Sequence, residues 1–148
     1  MKHFGKGWVV MGMVGLAALS ASAQKAGKAV IVVQPALVWA DAGVPGVKTA
    51  AVDGVMSSGA SHFYLSYPSG LVTPLHHHSA DHYVTTISGS LVLVVDGNDH
   101  RLPPGSYFAL LAKKPHVARC EGSEACVMFV DARSAWDVVP EAKAQATP

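Results

Sequence analysis

The chain has 148 residues, half of them apolar and 14% charged, with eleven Lys and Arg against ten Asp and Glu and a formal charge of +1. A balance this close to neutral, with no basic run beyond Lys113-Lys114, argues against a nucleic-acid surface, and the apolar content argues against disorder. The length suits one domain around a single core rather than two.

Met1 to Ala23 reads as a targeting segment. Lys2, His3 and Lys6 give a positive start, Trp8 to Leu19 carry no charge, and Ala21-Ser22-Ala23 is the small-residue pattern that signal peptidase cuts after. The expected mature chain is Gln24–Pro148, periplasmic or secreted, and without Lys2 and Lys6 its formal charge is −1. The apolar run is shorter than the roughly 20 residues that span a bilayer, and no later stretch is long and apolar enough, so no stable membrane insertion of the mature chain is expected. No cysteine follows the run to take a lipid, and no twin arginine marks folded export.

The mature sequence predicts short strands. Ala29–Val33, Phe63–Tyr67, Tyr83–Ile87, Leu91–Val95, Tyr107–Leu111, His116–Cys120 and Cys126–Val130 are each strand-length and rich in β-branched or aromatic residues. Turn residues separate them at Pro68-Ser69-Gly70, Ser88-Gly89-Ser90, Asp96-Gly97-Asn98-Asp99, Pro103-Pro104-Gly105 and Glu121-Gly122-Ser123-Glu124. No helical period is sustained, so the expected class is all-β, an antiparallel sandwich or barrel. Asp41 to Ser61 reads as a loop-rich lead-in, and Pro140 to Pro148 as a flexible tail.

Four histidines carry the chemistry: His76, His78, His82 and His116. Side chains alternate along a strand, so His76 and His78 share a face and His77 points away. A straight strand would put His82 about 20 Å from His76, too far to share an ion, so the chain must turn at Ser79-Ala80-Asp81 and return with His82 facing the same interior. His116 would arrive from a later strand of a closed barrel. Such a set is a candidate site for one divalent transition metal ion. His62 and His100 have no such partner in sequence and read as surface residues.

These spacings resemble the cupin superfamily. Gly70, His76, His78, His82 and Gly89 fall at the positions of the first cupin motif, with histidine where glutamate is usual. Gly105 and His116 match the second motif, while Leu111 and Lys113 replace its proline and glycine and Cys120 replaces its asparagine. The resemblance covers roughly Pro35 to Val130. It implies a cupin double-stranded β-helix, or jelly-roll barrel, with a core near residues 35–131 of a single domain 24–148. It also implies a small-molecule ligand, and exposed strands of such domains pair into homodimers.

Four neutral imidazoles would leave a bound ion its full charge, and Mn, Fe, Ni, Cu or Zn all suit them. A six-coordinate ion so held keeps two positions for a chelating ligand. The resemblance then implies a dioxygenase-like oxidoreductase acting on a small oxygen-rich molecule. The other reading is a non-catalytic periplasmic metal or small-ligand binding cupin, because no independent acid or base stands out. Strand parity puts Tyr64, Thr86 and Phe108 in the barrel core, where they could also line a pocket. Cys120 and Cys126, the two cysteines, are expected to form a disulfide across a hairpin; the alternative is an inward free thiol at Cys120 near His116.

Overall fold

Alternation is the rule that builds this chain. Ser61–Tyr67 and Cys126–Ala132 each bury every second residue, which is what a strand does when one face meets a core and the other meets solvent. The structure, a computed structural model, describes residues 27–142. Its strands are β1 (Ala40–Asp41), β2 (Lys48–Gly54), β3 (Ser61–Tyr67), β4 (His76–His77), β5 (His82–Ser88), β6 (Ser90–Val95), β7 (Asn98–Leu102), β8 (Tyr107–Leu110), β9 (Val117–Glu121), β10 (Cys126–Ala132) and β11 (Val139–Pro140). One 3-10 turn at Gln34–Ala36 precedes them. No helix among the described residues is long and apolar enough to cross a membrane.

Six strands form one antiparallel sheet in the order β1-β2-β3-β10-β5-β8, and β7-β6-β9 form a second. β11 and β4 make a two-stranded ribbon. Phe63, Leu65, Val84, Met128 and Val130 from the large sheet pack against Leu91, Leu93, Ala118 and Cys120 from the small one. Each large apolar side chain buried this completely contributes on the order of 2 kcal/mol. The expected all-β cupin barrel is the observed fold, with strands consecutive in sequence divided between two packed sheets.

The crossing from β5 to β6 needs a glycine. Gly89 has φ +83°, and a Cβ there would lie 2.6 Å from the Ala125 carbonyl oxygen and 2.7 Å from the Cys126 Cα. The last glycine of the first motif is therefore the place where the chain leaves one sheet for the other.

Several expectations are corrected. Ala29–Val33 forms no strand: it is extended and exposed, Ile31 to 85%, with no neighbour in either sheet. The lead-in read as loop contains β2, paired along the length of β3. Asn98 and Asp99, read as turn, open β7, and Pro140, read as the start of a tail, pairs with His76. Cys120 and Cys126 are joined, with Cα atoms 5.7 Å apart. They do not face across a hairpin, because β9 pairs with β6 while β10 pairs with β3 and β5. The disulfide instead ties the two sheets together at a corner. The expected targeting segment, Met1 to Ala23, lies outside the described residues.

Candidate metal centre

Backbone pairing sets the first two histidines. His76 and His116 form an antiparallel bridge, the His76 N–H donating to the His116 carbonyl at 3.1 Å and the His116 N–H to the His76 carbonyl at 2.8 Å. Their rings meet with centroids 4.3 Å apart. His78, two residues beyond His76, faces the same side, and the Lys113 N–H holds its carbonyl at 2.8 Å. The chain then bends through Ser79 to Asp81, and His82 opens β5 between Leu110 and Ala132. All four rings are buried, none more than 4% exposed.

Ligand atoms of His76, His78 and His116 lie within 4.8 Å of one another. His82 is not part of that group of three. Its ring centroid is 4.6 Å from that of His78 and 6.0 Å from that of His116, so it borders the cluster from the barrel interior.

Each ring is anchored through Nδ1 to a backbone carbonyl. His76 bonds Pro74 at 2.8 Å, His82 bonds Ala80 at 3.1 Å, His116 bonds Lys114 at 3.0 Å, and His78 bonds Asp137. A carbonyl only accepts, so Nδ1 carries the proton and Nε2 keeps its lone pair. Burial lowers the pKa of all four, His78 to about 3 and His116 to about 4. The carbonyl bonds oppose this and the neighbouring imidazoles reinforce it. Neutral, oriented imidazoles with the coordinating nitrogen unprotonated are what a transition metal needs, and the His76–His78–His116 cluster could hold such an ion.

A segment outside both histidine motifs closes the site. Trp136 stacks on His78 at 3.9 Å between centroids and meets His82 edge-on at 5.2 Å and Phe63 at 5.1 Å. The Asp137 carboxylate accepts from the Ser79 N–H at 2.7 Å and from its hydroxyl at 2.6 Å. β11 then pairs with β4, and the Glu141 N–H donates to the Leu75 carbonyl. His77 points away from the cluster, as expected, and its Nδ1 donates to the Glu141 carboxylate at 2.5 Å. The one available sign of this strap was a lone tryptophan in an otherwise polar stretch after the last strong strand.

Of the other expected residues, Thr86 is buried in the core and Phe108 borders the barrel interior beside the histidines. Tyr64 is a correction. It lies on the outer face of β3 against Phe129, 5.2 Å between centroids, and Trp39, because the inward parity of β3 belongs to Ser61, Phe63, Leu65 and Tyr67. His100 is exposed, and His62, partly exposed, sits between Asp131 at 3.6 Å and Asp53 at 4.0 Å.

Two spaces adjoin the cluster. The interior one, between His78, His82, His116 and Trp136, holds about 20 Å³, room for roughly one water. The other, about 390 Å³, lies against His76 and His78 between β2, β3 and the strap, within the size range of small-molecule sites. Of the two, only this outer cavity has room for a small molecule beside the histidines.

Residues 63–131 match the Cupin domain family. No curated protein matches the sequence. Among solved structures, the chain resembles KdgF from Halomonas sp., at 20% identity over 73% of this chain and 94% of that one, TM-score 0.59. It resembles the polyketide cyclase RemF from Streptomyces resistomycificus at 18% identity, 78% and 87% coverage and TM-score 0.64. An RmlC-like cupin from Shewanella frigidimarina aligns at 16% identity, 69% and 88% coverage and TM-score 0.57. At such identities the structural likeness speaks for the fold, and the domain match joins it to the histidine motif that β4, β5 and the His116 bridge bring together. The domain at residues 63–131 belongs to the cupin superfamily.

Proposed function

We propose that this cupin holds one divalent transition metal ion, Mn, Fe, Ni, Cu or Zn, through His76, His78, His116 and His82, and presents it to a small oxygen-rich molecule in the adjoining cavity. The observation that carries this reading is the common Nδ1 anchoring of four buried rings, which leaves each Nε2 unprotonated, with His76, His78 and His116 in one compact group and His82 beside it. A metal bound there supplies Lewis acidity and, for Mn, Fe or Cu, one-electron chemistry with dioxygen. The protein's own contribution is to hold the imidazoles neutral, to exclude all but about one water from the inner face, and to admit the ligand on the His76 side. The reaction class this favours is a dioxygenase-like oxidation. Similarity to a polyketide cyclase, a protein named for work on an oxygen-rich small molecule, is in keeping with that ligand class.

We place the protein outside the cytoplasm, its first 23 residues serving as a signal peptide. The buried Cys120–Cys126 disulfide supports this, since structural disulfides persist in oxidising compartments.

A second reading is a metal or small-ligand carrier without catalysis. It is favoured by the cavity wall, where the one carboxylate, Asp137, is already committed to Ser79. The two readings separate on one measurement. Untagged protein purified from its native source is assayed for bound metal, and the Mn, Fe, Ni and Cu forms are tested for oxygen uptake with enols and catechols. Uptake above free-metal controls establishes the enzyme; stoichiometric metal with no uptake establishes the metal carrier; no metal overturns both of these and leaves carriage of a small ligand alone.

A further inference from the structure

The walls of the outer cavity restrict what can lie in it. Val44, Val47, Met56, Leu65, Leu71 and Val138 give it an apolar lining, and among the described residues none of its lining side chains is Lys or Arg. The one charged group on the wall is Asp137. Its carboxylate accepts from the Ser79 N–H at 2.7 Å and hydroxyl at 2.6 Å, so its oxygens are turned to Ser79 and offer a ligand no donor. Tyr67, on the same wall, is kept neutral: burial pushes its hydroxyl up to about 12.

An anionic group at the far end of such a cavity would lose hydration and find no cation on the wall. An apolar ring system would lose only unfavourable hydration. Thr49, Thr73 and Tyr67 offer the ligand single neutral hydroxyls, and the one cluster of polar groups in the lining that could take a chelating end is the His76 and His78 side, with any ion those imidazoles hold. We infer that the cavity selects a ligand with an apolar body of about two fused rings and a single oxygen-bearing end turned toward His76 and His78, and that it rejects sugar acids, phosphates and other molecules negatively charged at the far end. This deepens the reading above and rests on its claim that the cavity takes a small molecule.

The test uses the full mature chain loaded with zinc, which does not turn over with oxygen, and reads binding by calorimetry. Three probes share one chelating end: 2,3-dihydroxynaphthalene, 6,7-dihydroxynaphthalene-2-sulfonate, which adds a charge at the far end, and catechol, which lacks the second ring. The naphthalenediol is expected to bind about tenfold tighter than either of the others, the rough value of one buried ring or one unpaired charge. Thr49→Arg, which puts a cation in the wall, is expected to raise sulfonate affinity to that of the diol or above. Val72→Arg, at the exposed rim, repeats the test where folding is not at risk. Sulfonate or catechol within about threefold of the diol, or no diol binding by zinc-loaded protein, overturns the inference. Zinc content is measured separately. If no zinc is held the metal reading fails, and naphthalen-2-ol against naphthalene-2-sulfonate on the metal-free chain puts the same question: preference for the naphthol supports the inference, and equal or absent binding overturns it.

Discussion

Trp136 lies against His78 with ring centroids 3.9 Å apart and planes 23° apart, while the residue after it takes the His78 Nδ1 proton on its backbone carbonyl. One short segment thus fixes both the face and the edge of a cluster histidine, and the same indole separates the outer cavity from the interior space.

Removing the indole should therefore loosen the site without removing a ligand. Trp136→Ala is expected to lower metal affinity about tenfold to a hundredfold, the range for losing an outer partner of a ligating histidine. Trp136→Phe, which keeps a ring against His78, should stay within a few fold of the parent. Metal titration against a competing chelator reads both, and equal affinity in the alanine variant and the parent would show that the stack has no part in the site.

The three clustered histidines should behave alike and His77 should not. His76→Ala, His78→Ala and His116→Ala each remove a nitrogen of the compact group and are expected to cost about a hundredfold or more in metal affinity, beyond the loss from an outer partner. His77→Ala removes a ring that faces Glu141 and should leave affinity unchanged while loosening the strap. Equal metal loss from His77→Ala and His78→Ala would sink the strand-parity argument.

Strand parity was legible because it is local. The period of two in β3, β5 and β10 marks the core, and the same period with a turn at Ser79–Asp81 brings the histidines together. What escaped was decided by distant partners. β2 is built from Lys, Thr, Ala, Asp and Gly around a single Val, and becomes a strand because β3 offers it a register. β7 is almost wholly polar because it is an edge strand exposed on both faces, paired to β6 by backbone alone. Ala29–Val33 has every local mark of a strand but no edge to pair with in the single chain. The strap depends on Asp137 and Glu141 meeting residues 58 and 64 positions away, which no local pattern records.

The corner disulfide should stabilise by restricting the unfolded chain. Its loop is short, with six residues' separation, so the expected effect is about 2 kcal/mol. Cys120→Ser/Cys126→Ser should unfold at a lower denaturant concentration by that amount while keeping the fold, since both sheets have their own ladders. Two alkylatable thiols in unreduced, freshly isolated protein would show that the bond does not form in the cell.

Burial of the histidines makes the metal-free protein sensitive to acid. His78 and His116 are lowered from 6.5 to about 3 and about 4, so in the folded chain they stay neutral while the unfolded chain takes up protons near pH 6.5. Stability is therefore full above pH 6.5 and falls as pH drops toward 4 and then 3, below which the loss stops growing. The loss should amount to roughly a few kcal/mol. A bound metal should protect the fold until protons compete for the nitrogens. Denaturant melts of the metal-free chain between pH 8 and 4 check this, and a flat profile would mean that the rings are not held neutral by burial.

His82 is the position where the histidine set departs from the cupin pattern, and it separates catalysis from carriage. Its ring borders the other three, and its pKa is lowered chiefly by burial, so replacing it with glutamate puts a carboxylate in the same buried place. Without metal that carboxylate has no cation and His82→Glu should be less stable than the parent. With metal it becomes an anionic ligand, so metal content should be retained. It also cancels one unit of the ion's charge, which shifts the reduction potential of the iron form downward relative to the all-imidazole parent. If the neutral set is tuned for redox chemistry, oxygen uptake with an enol or catechol should change with the potential. If the protein is a carrier, ligand affinity should stay within a small factor and neither form should take up oxygen. Retained metal with an unchanged potential would show that His82 is not a ligand and that the site is the compact trio of His76, His78 and His116.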